Sequence, residues 1–311
     1  MKKLYTSEFF YSILRIFKIK HLIDYPKIGL SVLFCYLVCF TATANAQTLA
    51  AGDMAVIRIN ENGTGADGFS LVTLVTLPLG TTINITDQGW GGDALGFIST
   101  EATVVFTTTD TYPAGTVFHF DEDVDHQLAV RINNAPNAAF DLQAPNFNLS
   151  AGDQILVYQG TAANPTFITG LHNDDGGAFS SNGFGNDAVT HWTENSAIAD
   201  DHIDNTVSAS RLPRGLTNGL NCISLFYNFN TNPEIGNSIY NTTALTQGTK
   251  AALMAAINNR ANWVSDNTNN TRYARQSYNF NVASTNTAPS YILALTLLTL
   301  RVMEQSSYLV I

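Results

Sequence analysis

Cysteine is nearly absent from this chain of 311 residues: there are three, and two of them, Cys35 and Cys39, lie in an apolar N-terminal segment. Cys222 is then alone beyond that segment, which excludes an intrachain disulfide there and leaves stability to a hydrophobic core. Lysine is as scarce, since Lys250 is the only one beyond residue 27. Without residues 1–46 the chain keeps nine Lys/Arg against 23 Asp/Glu, a net charge of −14. A surface so short of positive charge repels phosphate backbones, so nucleic acid is not an expected partner. Enzyme signatures are missing as well. The chain contains no GxSxG elbow, no P-loop, no HExxH and no assignable Ser-His-Asp order.

Residues 1–46 read as a signal peptide. Lys2, Lys3, Arg15, Lys18, Lys20 and Lys27 precede an uncharged run over 28–40, and Ala44-Asn45-Ala46 offers the small residues a signal peptidase reads, with the cut before Gln47. The rival reading is a retained anchor, since 28–46 is 19 residues without a charge and about 20 span a bilayer. In that case the N-terminal segment alone would meet the membrane. Either way the expected location is secreted or cell surface.

From residue 47 to 282, short β-branched and aromatic runs alternate with Gly, Asn, Asp and Pro clusters. Strands are expected at 54–59, 69–77, 82–86, 103–108, 117–120, 154–158 and 223–229. A turn signal recurs at strand entrances, at Gly52-Asp53, Gly80-Thr81, Gly115-Thr116 and Gly152-Asp153. The intervals of 28, 35 and 37 residues are too uneven for a solenoid and indicate repeated hairpin construction. Helical spacing is convincing once, over 249–259, where Leu253, Met254 and Ile257 share a face and Thr249 is placed to cap the N-terminus. The expected fold is all-β: an antiparallel β-sandwich over 47–282 with one short helix near its C-terminal end. Residues 283–311 read as a tail, the start of a further β region that the chain does not complete.

Several segments invite a chemical reading. Gly63-Thr64-Gly65-Ala66-Asp67-Gly68 matches GxGxxG, with Asp87 nineteen residues on, but a β-rich run follows where a dinucleotide fold needs a helix. A hairpin loop is expected there. Asp121, Asp123 and Asp125 alternate as calcium ligands can, although His126 and Ile132 stand where an EF-hand needs Gly and Glu. Asp174, Asp175 and Asp187 sit in a polar, glycine-rich stretch over 172–189, part of which is similar to one unit of the calcium-binding β-roll repeats. These six aspartates are the candidate metal ligands, and Ca²⁺ is the one cofactor they suggest. An alternative is a secreted hydrolase built on His172, Asp174, Asp175, His191, Asp201 and His202. Trp90, Phe184 and Trp192 lie in loop-like segments and could stack on sugars or equally belong to the core; Trp90, in the Asp87-Gln88-Gly89-Trp90 turn, reads as a core or turn-packing aromatic. Cys222 reads as a small buried hydrophobe.

The segments 51–60, 69–74, 80–90 and 151–160, with Ala261-Asn262-Trp263 after the helix, are similar to a family of uncharacterised secreted proteins of the Bacteroidetes. That family is distantly like the lamin-tail β-sandwich and often carries type IX secretion sorting domains. From the Asn/Thr/Gly-rich surface, the loop aromatics and the missing enzyme motifs, the expected role is binding of a ligand such as a glycan or a surface protein, or a structural part; the resemblance implies an extracellular location and a sandwich fold. It implies no catalytic residue.

Overall fold

The computed structural model describes residues 47–61, 67–98, 101–122, 128–133, 140–142, 147, 149, 153–173, 192, 210–225, 236–266 and 275–283. All belong to one compact unit, Ala46–Ile311. Among the described residues no helix is long and apolar enough to cross a membrane.

The strands, in chain order, are β1 (Met54–Asn60), β2 (Gly68–Thr73), β3 (Thr82–Thr86), β4 (Thr103–Thr107), β5 (Val117–Glu122), β6 (Leu128–Ile132), β7 (Phe140–Leu142), β8 (Gln154–Thr161), β9 (Asn164–His172), β10 (Ile223–Ser224), β11 (Asn237–Tyr240), β12 (Gln247–Thr249), β13 (Trp263–Asp266) and β14 (Asn281–Ala283). The helix α1 (Lys250–Ile257) follows β12, and a single 3-10 turn (Arg260–Asn262) leads into β13. Seven strands form one sheet in the order β13-β11-β1-β2-β5-β6-β7, and five form a second in the order β10-β9-β8-β3-β4. The fold is mostly β and sandwich-like, as the sequence implies. It departs from the expectation at two parallel pairings, β9 with β10 and β12 with β14.

Alternation along the strands builds the layer between the sheets. Phe69, Leu71, Phe118, Phe120 and Val130 from the first sheet meet Ile83, Ile85, Phe106, Ile155, Val157 and Ile168 from the second. Phe69 stacks on Phe120 at 4.6 Å, and Phe106 stands edge-on to Phe118 and Phe120. Each outer face is covered in turn. Leu253 and Ile257 of α1, with Tyr278 and Phe280, close over Ala55, Ile57, Val72 and Val117 of the first sheet. Trp90, Trp192, Leu216 and Cys222 close over Leu156, Tyr158 and Phe167 of the second. Covered on both faces, β1 is buried along its whole length.

One irregularity sets the polarity of β1. Val56 opposes Leu71, but Arg58 opposes Ser70, so Ile57 is an extra residue in the ladder. Were Ile57 paired regularly with Ser70, Arg58 would continue the inward run of Met54 and Val56 into the apolar layer. With the bulge, Arg58 points outward beside Ser70, and Ile59 takes the inward place.

The turns are built as the sequence implies. Thr81 returns both its N–H (3.2 Å) and its hydroxyl (2.8 Å) to the carbonyl of Pro78, and Thr116 does the same to Pro113 at 3.1 and 2.7 Å. Gly80 (φ 82°) and Gly115 (φ 91°) occupy the third position, where a side chain is strained. At the first such turn Asp53 reverses the roles, its carboxylate accepting from Ala50 N–H at 2.7 Å. Asp53 also pairs with Lys250, the first residue of α1, whose N-cap Thr249 accepts from Ala252 N–H at 3.2 Å.

A Cβ at residue 80 meets nothing within 4 Å, whereas at residue 115 it would fall inside van der Waals contact with the Phe280 carbonyl. Gly80→Ala is therefore expected to cost only the left-handed penalty, about 1–2 kcal/mol. Gly115→Ala is expected to cost more than that, because a backbone oxygen cannot step aside. Urea denaturation of the two variants gives the order.

Candidate functional site

The two sheets leave a gap where their edges come side by side. β10 is the edge of the five-stranded sheet and β13 the edge of the seven-stranded one. Between them, closed at one end by the C-terminal end of α1 and the 3-10 turn, lies a cleft of about 930 Å³. Asn218, Ser224, Ala255, Asn259, Trp263 and Ser265 are among the residues that line it.

Local hydrogen bonds hold these walls. Asn218 Oδ1 accepts from Ser224 N–H at 2.8 Å and from the Trp192 indole at 3.1 Å. Asn258 donates to the carbonyls of Leu220 and Met254, both at 2.9 Å, which fastens the 217–222 turn to the end of the helix. The Trp263 indole donates to Ile257 O at 2.7 Å. The described lining contains amides, hydroxyls, an indole and Arg260, with neither a carboxylate nor an imidazole among the described residues. Such groups can hydrogen-bond and stack on a ligand.

Behind the cleft lies a layer of buried polar residues. His172 ends β9, in register with Ser224 on β10 and with Gln154 on β8. Its Nδ1 is 3.4 Å from Ser224 Oγ, and its ring stacks on Trp192 at 4.8 Å. Asp87, Asp153, Gln154 and Asn173 occupy the same end of the sheet, and like His172 they are 0 % exposed. Ser238 on β11 bonds both Asn173 Oδ1 (2.9 Å) and Ser265 Oγ (2.8 Å), tying the two sheets together beside the cleft. The sequence places His172 at the head of a polar loop. In the structure it is instead the buried last residue of a strand.

A second polar row crosses the outer face of the seven-stranded sheet. Arg58, Ser70, His119 and Arg131 stand opposite one another on β1, β2, β5 and β6. Arg58 Nε donates to Ser70 Oγ at 3.0 Å, and Ser70 Oγ lies 2.8 Å from His119 Nδ1. Burial, and then the charges of Arg58 and Arg275, push the His119 pKa down to about 3. One residue pair along, Asp121 Oδ1 accepts from Arg58, and Asp121 Oδ2 lies 2.8 Å from Arg275 Nε without hydrogen-bond alignment. A calcium ion at Asp121 would have to displace a guanidinium.

The other candidate ligands, Asp123, Asp125, Asp174, Asp175 and Asp187, lie outside the described residues, as do His191, Asp201, His202 and Phe184. Among the described residues no group of three His, Cys, Asp or Glu side chains is placed to hold a metal. Trp90 and Trp192 are not open to sugars: Trp90 is buried edge-on to Phe97 and Phe167, and Trp192 is 0 % exposed. Cys222 is fully buried, which raises its thiol pKa. Gly68 opens β2 antiparallel to β1, the strand that a hairpin reading of the glycine motif requires. Comparison with protein-family models, with curated proteins and with solved structures finds no match to any.

An unfolded His119 takes up a proton near its ordinary 6.5 and the folded one only near 3, so between these values the unfolded chain binds more protons. The stability that neutral His119 contributes is present above pH 6.5 and is lost as pH falls through that window. His119→Gln, which retains a polar partner for Ser70, removes this titration. Urea midpoints between pH 7 and pH 3.5 are expected to fall more steeply for the native chain than for the variant.

Proposed function

We propose that this chain is an exported β-sandwich module, extracellular or on the cell surface, that binds a ligand through the cleft between its sheet edges. The basic and then apolar leader ending at Ala44-Asn45-Ala46 supports export, and the resemblance to secreted sandwich proteins points the same way. The chemistry of the cleft supports binding over catalysis. Its lining offers amide, hydroxyl and indole groups, with no carboxylate or imidazole among the described residues, which suits a neutral polar ligand such as a glycan or a segment of a surface protein. The aspartates at 123, 125, 174, 175 and 187 belong to the same proposal as calcium ligands that stiffen loops around a rigid scaffold.

Ala255 is an exposed helix residue on the cleft wall, so a large side chain there fills the cleft without entering the core. On a glycan array, and against immobilised cell-surface protein, Ala255→Trp is expected to lose binding that the native chain shows. Equal binding by both would remove the cleft as the site. For calcium, the melting temperature is expected to rise between excess chelator and millimolar Ca²⁺; an unchanged value excludes the ion.

A further inference from the structure

The polar row on the seven-stranded sheet holds two hydrogen-bond donors with nothing to receive them. Ser70 Oγ accepts from Arg58 Nε, and its own proton has no acceptor among the described residues other than His119 Nδ1. The neutral His119 ring therefore carries its proton on Nε2. That atom is buried and without a partner, and so is Nε of Arg131, the residue directly opposite on β6. A buried donor left unpaired costs about 1–3 kcal/mol, so two on facing residues of one sheet face point to an acceptor that binds there.

The charge at this corner says what kind. Arg58, Arg131 and Arg275 are three of the eight arginines beyond residue 46, in a chain whose net charge there is −14. Arg131 takes part in no described ion pair, and the carboxylate that meets Arg275, that of Asp121, is shared with Arg58. A water molecule would satisfy the donors but not the remaining positive charge, whereas an oxyanion does both and presents separate oxygens to separate N–H groups. His119 and Ser70 form the buried floor, while Arg131 is half-buried and the Arg275 side chain is 35 % exposed, which gives a way in. We propose that the corner formed by His119, Arg131 and Arg275 binds a small oxyanion, a carboxylate or phosphate group, either free or borne on a larger acidic ligand. This site is separate from the cleft between the sheet edges, and neither needs the other.

The test replaces sodium chloride with sodium phosphate, acetate or glucuronate at constant ionic strength and follows the melting temperature of the purified chain. Phosphate or acetate is expected to raise it saturably above the chloride baseline. In Arg131→Gln the half-saturating concentration is expected to rise about tenfold, the usual effect of losing one charge-assisted hydrogen bond. Arg275→Gln, a change at a more exposed position, should weaken binding in the same direction and serves in its place if Arg131→Gln does not fold. In the native chain the His119 Nε2 proton resonance should shift along the same saturation curve. A rise with glucuronate as well extends the ligand to acidic sugars, and a rise with the small ions alone confines it to free anions. The same melting temperature in chloride and in every oxyanion, or a response that neither variant changes, overturns the proposal.

Discussion

The apolar layer shared by the two sheets is the constraint from which the rest of this structure follows. No disulfide joins the described strands, and Cys222 is a free buried thiol, so the facing rows of Phe, Ile, Val and Leu must hold the sheets in register. Each large side chain removed from water there contributes on the order of 1.5–3 kcal/mol. The layer is continuous from β6 of one sheet to β10 of the other, and it settles which residues of each strand face outward. Because the outer faces are covered too, polar groups that elsewhere would meet solvent are enclosed and must find partners within the fold.

That enclosure explains two pairs of the same chemical type. Ser70 and His119 face each other across β2 and β5, and Ser224 and His172 across β10 and β9. In an open pocket a serine beside a histidine suggests proton transfer. Here all four residues are at most 1 % exposed, and each hydroxyl lies against the Nδ1 of its histidine, engaged inside the fold. The cleft is the reverse case: its walls touch solvent, and the groups described on them are amides, hydroxyls, an indole and a guanidinium.

Much of the architecture was legible in the sequence. The β-branched runs marked β1 to β5 and β8, the glycine turns marked their entrances, and Thr249, Leu253 and Ile257 marked α1. Strand β9 was missed because Asn164, Pro165 and Gly170 interrupt its pattern, so His172 looked like the start of a loop. The strand expected from residue 223 is present as β10, but its parallel pairing was not legible, since a partner about fifty residues away leaves no local trace. The cleft could not be read at all. It is assembled from short pieces around residues 218–225 and 255–265 that carry no motif and meet only because β10 and β13 are both edges. The cationic corner is equally nonlocal, for Arg58, His119 and Arg131 come together through cross-strand register alone. Trp90 is buried, as its place in the Asp87-Gln88-Gly89-Trp90 turn implied, whereas the polar neighbours of Trp192 in sequence suggested an exposure that the packed face denies.

The surplus residue in β1 separates two stretches that each alternate regularly, Met54 to Val56 and Arg58 to Asn60. Loss of Ile57 would leave Arg58 opposite Ser70 and Ile59 opposite Phe69, so the ladder would straighten without exchanging its faces. The danger is the reverse event, in which Ile57 is kept but pulled into regular pairing with Ser70. Every later residue of the strand would then turn over, with a guanidinium toward the phenylalanines and Ile59 toward the serine and histidine. The bulge acts as a phase corrector, and the strand tolerates its removal better than its repair.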